Sequence, residues 1–193
     1  MANEYGAIQG SAINWAWSFR DVFSKELSKS AKDEVEPPNV LLEIKNKLMK
    51  NAHGKGVLLW AFNDEATYKR LNEGVERAGS VKVLLINTSV RIRGEKVLQR
   101  GIIGEGRVTR DCLIGYVEWE YWPEGAGWHY KFFILVDRIP KEIKETIKKL
   151  REVEAKNFVT DNPKIREVFS EWQKSVIEYL PSGVAQGLYL IHI

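Results

Sequence analysis

The chain is poor in the residues that build metal and disulfide sites. Its 193 residues include a single cysteine, Cys112, and three histidines, His53, His129 and His192. A lone cysteine excludes an internal disulfide and a thiolate metal site, and it fits a reducing, intracellular compartment. The histidines lie far apart, and none has a carboxylate or a second histidine at ligand spacing, so we expect no metal and no other cofactor.

Long apolar runs are also missing. No stretch approaches the roughly 20 apolar residues that a membrane-spanning helix needs, and the N-terminus lacks a basic segment followed by an apolar one. We therefore expect a cytoplasmic protein with no membrane partner. No internal repeat or low-complexity tract is present either, which excludes a solenoid.

The motifs of common enzymes are absent as well. His53-Gly54-Lys55-Gly56 lacks the upstream glycine and the following Ser or Thr of a phosphate-binding loop, and no Gly-x-Ser-x-Gly sequence occurs. Gly101, Gly104 and Gly106 do not match the dinucleotide-binding pattern and are more typical of bulges or close backbone approach. We expect a binding domain rather than an enzyme.

Positive charge is concentrated in one segment. Residues 80–110 hold seven basic and two acidic residues, a net charge of +5, whereas the whole chain carries +3. Such a segment suits a polyanion, because each neutralised phosphate releases counterions. The alternative is an ordinary solvated face. The side chains that we assign to nucleic-acid backbone contacts are Arg91, Arg93, Lys96, Arg100, Arg107 and Arg110.

Hydrophobic periodicity predicts an α+β fold. Helices are expected over residues 10–32 and 39–51, and a buried strand over 57–62 precedes a helix that Asn63 or Asp64 caps and that ends near Ala78. Further strands are expected at 81–86 and 101–108, with a hairpin of 114–122 and 128–136. Five strands in this order predict a small, closed, mainly antiparallel β-barrel. Charged helices follow Pro140, and the second of them includes Ile177.

Seven tryptophans are a high number for this length, and an indole in water favours a ligand or core contact. Strand alternation places Trp122 on a face with Glu118 and Glu120, away from the core, whereas Trp128 falls in phase with core residues. Trp17 lies opposite Trp15 on its helix and either packs on the barrel or lines a pocket. Trp60, in phase with Phe62, is either core or the floor of a pocket.

Several segments resemble YTH and EVE domains, which belong to the PUA-like superfamily. The matching pieces are Leu58-Leu59-Trp60-Ala61-Phe62-Asn63, the strand from Gly101 to Val108, Trp122-Pro123-Glu124-Gly125, and Asp137-Arg138-Ile139-Pro140. The resemblance covers residues 56–141, an EVE/YTH-like barrel. It leaves residues 1–55 as a helical segment that packs on the barrel and 142–193 as C-terminal helices and a tail.

The resemblance implies a base-binding pocket. YTH domains hold N6-methyladenine in an aromatic cage, which would make Trp122 a cage wall and Asn63 a hydrogen-bond partner of the base. The tryptophan that YTH domains carry after their first helix has no counterpart near Arg77 or Ala78. Trp60, with Phe62 beside it, or Trp17 would then supply the other wall.

The resemblance also implies partners. A related domain precedes the GTPase motor of some archaeal McrB-type restriction proteins, where it reads a flipped methylated base in DNA. On that basis the partners are double-stranded DNA with a modified base, a GTPase motor in the same full-length chain, and a nuclease subunit. Two other readings stay open: an RNA-binding module of the PUA or ASCH type, and a protein-interaction adaptor that uses residues 141–154.

Overall fold

The structure, a computed structural model, describes residues 4–19, 21–22, 26–30, 35–52, 56–88, 91–92, 95–96, 101–125, 127–140 and 177–179. Arg93 and Arg100, and the helices predicted between residues 141 and 176, lie outside these ranges. The division of the chain at residues 55 and 141 stays a prediction.

A single mixed sheet organises the described part of the chain. Its strands are β1 (Glu4–Gly10), β2 (Gly56–Phe62), β3 (Ser80–Asn87), β6 (Gly101–Thr109), β7 (Leu113–Tyr116), β8 (Tyr130–Pro140) and β9 (Ile177–Tyr179). The order is β1-β3-β6-β8-β2, and β7 and β9 also pair with β8. β1 and β3 run parallel, and the other pairs are antiparallel.

Two short strands form a separate ribbon. β4 (Arg91–Ile92) and β5 (Glu95–Lys96) pair with each other between the end of β3 and the start of β6. β4 also lies against the first helix, α1 (Ala12–Phe19). The ribbon therefore leaves the sheet close to the N-terminal helix.

Two further helices follow from local signals that the sequence carries. α2 (Asn39–Asn51) has the predicted bounds, and it follows Pro38. α3 (Glu65–Ala78) begins at its N-cap Asp64, whose carboxylate accepts a hydrogen bond from the Thr67 amide at 2.7 Å. It ends at Gly79, which has a φ of 79° and donates to the carbonyl of Val75. None of the helices in the described ranges is long and apolar enough to cross a membrane.

The core lies between the sheet and these helices. All seven residues of β2 are buried, as expected for a strand that is covered on both faces. Trp15 and Phe19 bring α1 onto β2, and Leu41 and Leu48 anchor α2. The predicted strands at 57–62, 81–86 and 101–108 are confirmed within one or two residues.

Three predicted elements differ from the structure. The predicted helix 10–32 is shorter in the structure, where α1 covers Ala12–Phe19 and the described residues 21–22 and 26–30 are not helical. The strand β1, which precedes it and pairs with β3, was not predicted. The predicted strand 114–122 ends at Tyr116, and Ile177 begins β9 instead of continuing a helix. The barrel is not closed: no described pair joins β1 to β2, so the sheet is a half-barrel.

Candidate functional site

A pocket opens where three parts of the chain meet. The end of β1 and the start of α1 provide one side, β2 provides the second, and the segment 122–128 between β7 and β8 provides the third. The cavity has a volume of about 100 Å³ and is partly open to solvent, so it is smaller than the roughly 300–1,000 Å³ of typical small-molecule pockets. The lining residues are Gln9, Gly10, Ser11, Asn14, Trp60, Ala61, Trp122, Glu124 and Trp128.

Three indoles form the apolar walls of this pocket. Trp60 stacks on Trp15 with ring centroids 3.8 Å apart and planes within 10°. Trp122 meets Trp60 edge to face, at 5.7 Å and 68°. Trp60 and Trp122 are 6% and 2% exposed, so they belong to the core and present only a margin to the pocket.

Hydrogen bonds hold these walls in place. The indole N–H of Trp122 donates to Ser18 Oγ at 2.6 Å, and that hydroxyl donates to the carbonyl of Leu59 at 3.0 Å. The indole N–H of Trp15 donates to the carbonyl of Ile86 at 2.8 Å. A pocket with fixed walls loses little conformational entropy when it binds a ligand.

Two glycines allow the tryptophans to approach the backbone. A Cβ on Gly10 would coincide with the six-membered ring of Trp60, and a Cβ on Gly125 would coincide with the ring of Trp128. Gly127, with a φ of 95°, turns the chain immediately before Trp128. Only glycine at these positions is compatible with the observed pocket.

The polar part of the pocket is rich in acceptors. Asn14 is only 6% exposed, and its Oδ1 has no hydrogen-bond partner among the described residues. Glu124 Oε2 accepts a 2.7 Å hydrogen bond from Ser11 Oγ, which joins the start of α1 to the loop that carries Trp122. A buried acceptor without a partner is costly, so Asn14 suits a ligand that brings an N–H or O–H donor.

A buried lysine closes the loop that carries two of the walls. Lys131 is 0% exposed, and its Nζ donates to the carbonyls of Val117 at 2.6 Å and Trp128 at 2.8 Å. These carbonyls stand at the two ends of the irregular segment 117–129. Burial lowers the pKa of Lys131 to about 8, and the nearby Glu120 carboxylate opposes that shift.

The structure brings together two of the five residues that we assigned to base binding, Trp122 and Trp60. Trp17 is half-buried and packs edge to face on Tyr121, with centroids 6.2 Å apart. Phe62 packs on Phe132 at 4.9 Å. Trp17, Phe62 and Asn63, which is exposed next to the cap of α3, are not among the residues that line the pocket.

The positions that strand alternation predicted for Trp122 and Trp128 are wrong, because the described residues between β7 and β8 do not form a strand. Trp119, Tyr121 and Trp122 are all buried, so Trp122 does not share an exposed face with Glu118. Trp128, predicted to be core, is half-buried and lines the pocket. Gly125 and Gly127 were the sequence signal for its unusual position. Asn14 had no comparable signal.

The cationic residues that we assigned to nucleic-acid backbone contacts lie on different elements of the structure. Arg107 on β6 is ion-paired with Asp137 on β8 at 3.2 Å, and Arg110 is exposed in the 3-10 turn Arg110–Cys112. Arg91 and Lys96 are register partners in the β4-β5 ribbon, which lies between Asn87 and Gly101 in the chain order. Six residues of extended strand, about 20 Å, separate Gly101 from Arg107.

Metal chemistry has no cluster to support it within the described ranges. No group of three or more His, Cys, Asp or Glu residues is placed there to hold an ion. Cys112 is buried, and burial raises the pKa of its thiol. The pocket-lining residues include no His, Cys or Lys.

Comparison with known proteins gives a structural likeness. No protein-family model and no curated protein matches the chain. Among solved structures, the YTH domain of Mmi1, in a complex with RNA, is similar with a TM-score of 0.43 and 10% sequence identity. The match covers 88% of this chain and 77% of that one. At this level the likeness assigns neither a ligand nor a residue role to the chain.

Proposed function

We propose that this chain is a nucleic-acid-binding module that takes one modified base into the tryptophan-walled pocket and has no catalytic activity of its own. The observation that carries the proposal is the pairing of three indole walls, Trp60, Trp122 and Trp128, with the unpartnered Oδ1 of Asn14. An aromatic wall stacks a planar base, and stacking is worth roughly 1–3 kcal/mol per base. A base that leaves a duplex must regain its stacking in this way.

N6-methyladenine in DNA is the base that we propose. The exocyclic amine of adenine has two N–H donors, and methylation leaves one. That single donor matches a pocket in which one buried acceptor, Asn14 Oδ1, is free of other partners. The methyl group would lie against indole, a gain of about 0.8 kcal/mol, whereas a second N–H there would lose its hydrogen bond.

The first test is a direct binding comparison. A duplex with one N6-methyladenine and the same duplex without the methyl group are titrated against the wild-type protein by fluorescence anisotropy. We expect tighter binding of the methylated duplex. Equal affinity for the two duplexes would exclude recognition of the methyl group. Competition with methylated RNA of the same sequence separates a DNA module from an RNA module.

The second part of the test locates the site. Trp128→Ala removes a half-buried pocket wall, and we expect about a tenfold or greater loss of affinity for the methylated duplex. Trp17→Ala is the matched control, because Trp17 is also a half-buried indole but lies outside the pocket lining. An equal loss in both variants would place the site elsewhere.

Trp122 is a less suitable probe than Trp128. It is 2% exposed and bonded to Ser18, so its truncation would leave a cavity and cost roughly 3–5 kcal/mol of stability. A loss of binding in Trp122→Ala would therefore combine unfolding with loss of the site.

The GTPase motor and the nuclease subunit remain proposals from the sequence resemblance. The adaptor alternative differs in a measurable way, because it requires no salt-dependent binding of nucleic acid.

A further inference from the structure

A second aromatic surface lies beside the pocket. Tyr116 is 56% exposed, and its ring centroid is 5.3 Å from that of His129 and 5.4 Å from that of Tyr130. Tyr68 on α3 extends the group, 6.0 Å from Tyr130. We call Tyr68, Tyr116, His129 and Tyr130 the tyrosine surface.

The tyrosine surface is continuous with the pocket. Tyr130 pairs with Tyr116 on one side and with Phe62 on the other. His129, a member of this surface, directly follows the pocket wall Trp128 in the chain, so the surface and the pocket meet at adjacent residues. A polymer whose one unit fills the pocket would therefore bring a neighbouring unit within reach of this surface.

The ring of Tyr116 is held ready for a flat partner. Its hydroxyl donates to the Glu118 carboxylate at 2.9 Å, and its ring contacts Tyr130 edge to face at 72°. An exposed aromatic ring that is fixed in this way offers contact area at low entropic cost. The Glu118 carboxylate disfavours a phosphate at the hydroxyl end, so a base fits this position better than the sugar-phosphate backbone.

We propose that the tyrosine surface stacks the nucleotide next to the captured base, with Tyr116 as its main contact. The inference rests on the proposed function, since it assigns a second subsite to the same ligand. A base on Tyr116 would add affinity without adding much sequence preference, because every base has a stacking face.

The test separates the two subsites by the length of the ligand. Free N6-methyl-2′-deoxyadenosine can reach only the pocket, whereas a DNA pentamer with a central N6-methyladenine reaches both. For Tyr116→Ala we expect about a tenfold loss of affinity for the pentamer and no change for the nucleoside. Tyr116→Phe keeps the ring and loses only the hydrogen bond to Glu118, so it should keep most of the affinity for the pentamer.

Val40→Ala is the control, because Val40 is another exposed apolar side chain, 44% exposed, on the distant helix α2. Unchanged binding of the pentamer by Tyr116→Ala would overturn the inference and leave the proposed function in place. Equal losses for pentamer and nucleoside would also overturn it, because Tyr116 would then act through the pocket. If the wild type binds neither ligand, the proposed function fails together with the inference.

Discussion

At the scale of single residues, Asn14 is the most informative position. A buried Oδ1 without a partner costs the free protein stability, and evolution tolerates such a cost mainly where a ligand removes it. A structural asparagine behaves differently, since its removal would lower stability and leave binding unchanged. The two roles can be separated by measuring stability and affinity in one variant.

We expect Asn14→Leu to stabilise the free protein by about 1 kcal/mol, because it removes the unpartnered acceptor and keeps the number and branching of the side-chain heavy atoms. Affinity for the methylated duplex should fall roughly tenfold, since the base loses its hydrogen-bond partner. Urea denaturation and anisotropy titration measure the two effects. Asn46→Leu, on the exposed side of α2, is the control. Lower stability combined with unchanged affinity would make Asn14 a structural residue.

At the scale of elements, the segment 117–129 decides the shape of the pocket. It has no strand or helix to fix it, and its two ends are tied by Lys131 through the carbonyls of Val117 and Trp128. Lys45 is the second fully buried lysine, and it donates to the carbonyl of Asp21 at 2.7 Å. Burial lowers the pKa of each lysine from 10.5 to about 8.

The buried lysines predict an unusual dependence of stability on pH. Between about pH 8 and 10.5 the unfolded chain keeps protons that the native lysines have lost, so the free energy of unfolding should rise with pH. The rise is at most roughly 3 kcal/mol for each lysine, because the pKa differs by about 2.5 between the unfolded and the native chain. We expect Lys131→Met to remove about half of it in urea denaturation at pH 7.5 to 10.5.

Lys69→Met, which removes an exposed lysine of α3, is the control for that experiment. A wild-type slope in Lys131→Met would show that Lys131 keeps its proton through this range. Methionine also leaves the carbonyls of Val117 and Trp128 without their donor, so weaker binding of the methylated duplex should accompany the change in slope.

At the scale of the whole molecule, the position of the cations relative to the pocket determines how salt affects binding. The β4 strand of the ribbon lies against α1, which carries the pocket residue Asn14, whereas Arg107 is half-buried and ion-paired with Asp137. The ribbon is therefore better placed than Arg107 to meet phosphates around a captured base.

We expect the double variant Arg91→Ala/Lys96→Ala to reduce the slope of log affinity against log salt by about 2, because each phosphate contact contributes about 0.9. The matched pair Arg107→Ala/Arg110→Ala should leave the slope unchanged. Anisotropy titrations between 50 and 200 mM salt, roughly the range over which such slopes are measured, provide the comparison. If the Arg107→Ala/Arg110→Ala variant lowered the slope and the Arg91→Ala/Lys96→Ala variant did not, the phosphates would contact Arg107 and Arg110 instead.

Local signals in the sequence predicted a large part of the fold. The bounds of α2, the Asp64 cap of α3 and the strands around β2, β3 and β6 follow from periodicity and capping, which depend on neighbouring residues. β1 was missed because its strand character comes from pairing with β3, more than 70 residues away in the chain. Pairing at such a distance leaves no local pattern.

The candidate site shows the same division. Trp60 and Trp122 were assigned to the pocket because the segments that contain them resemble YTH and EVE domains. Trp128 was assigned to the core, since a continuous strand was assumed where the chain is irregular. Asn14 and Ser11 joined the site only when α1 packed against β2 and the 122–128 loop.

By itself, the sequence determined the class of fold, the supply of aromatic and cationic side chains, and the glycines that let indoles approach the backbone. The tertiary structure alone decided which tryptophans share a pocket, which acceptor is left without a partner, and which arginine is neutralised by an aspartate. The physical reason is that composition and periodicity act over a few residues, whereas a pocket is made by contacts between segments more than 100 residues apart, such as Ser11 and Glu124.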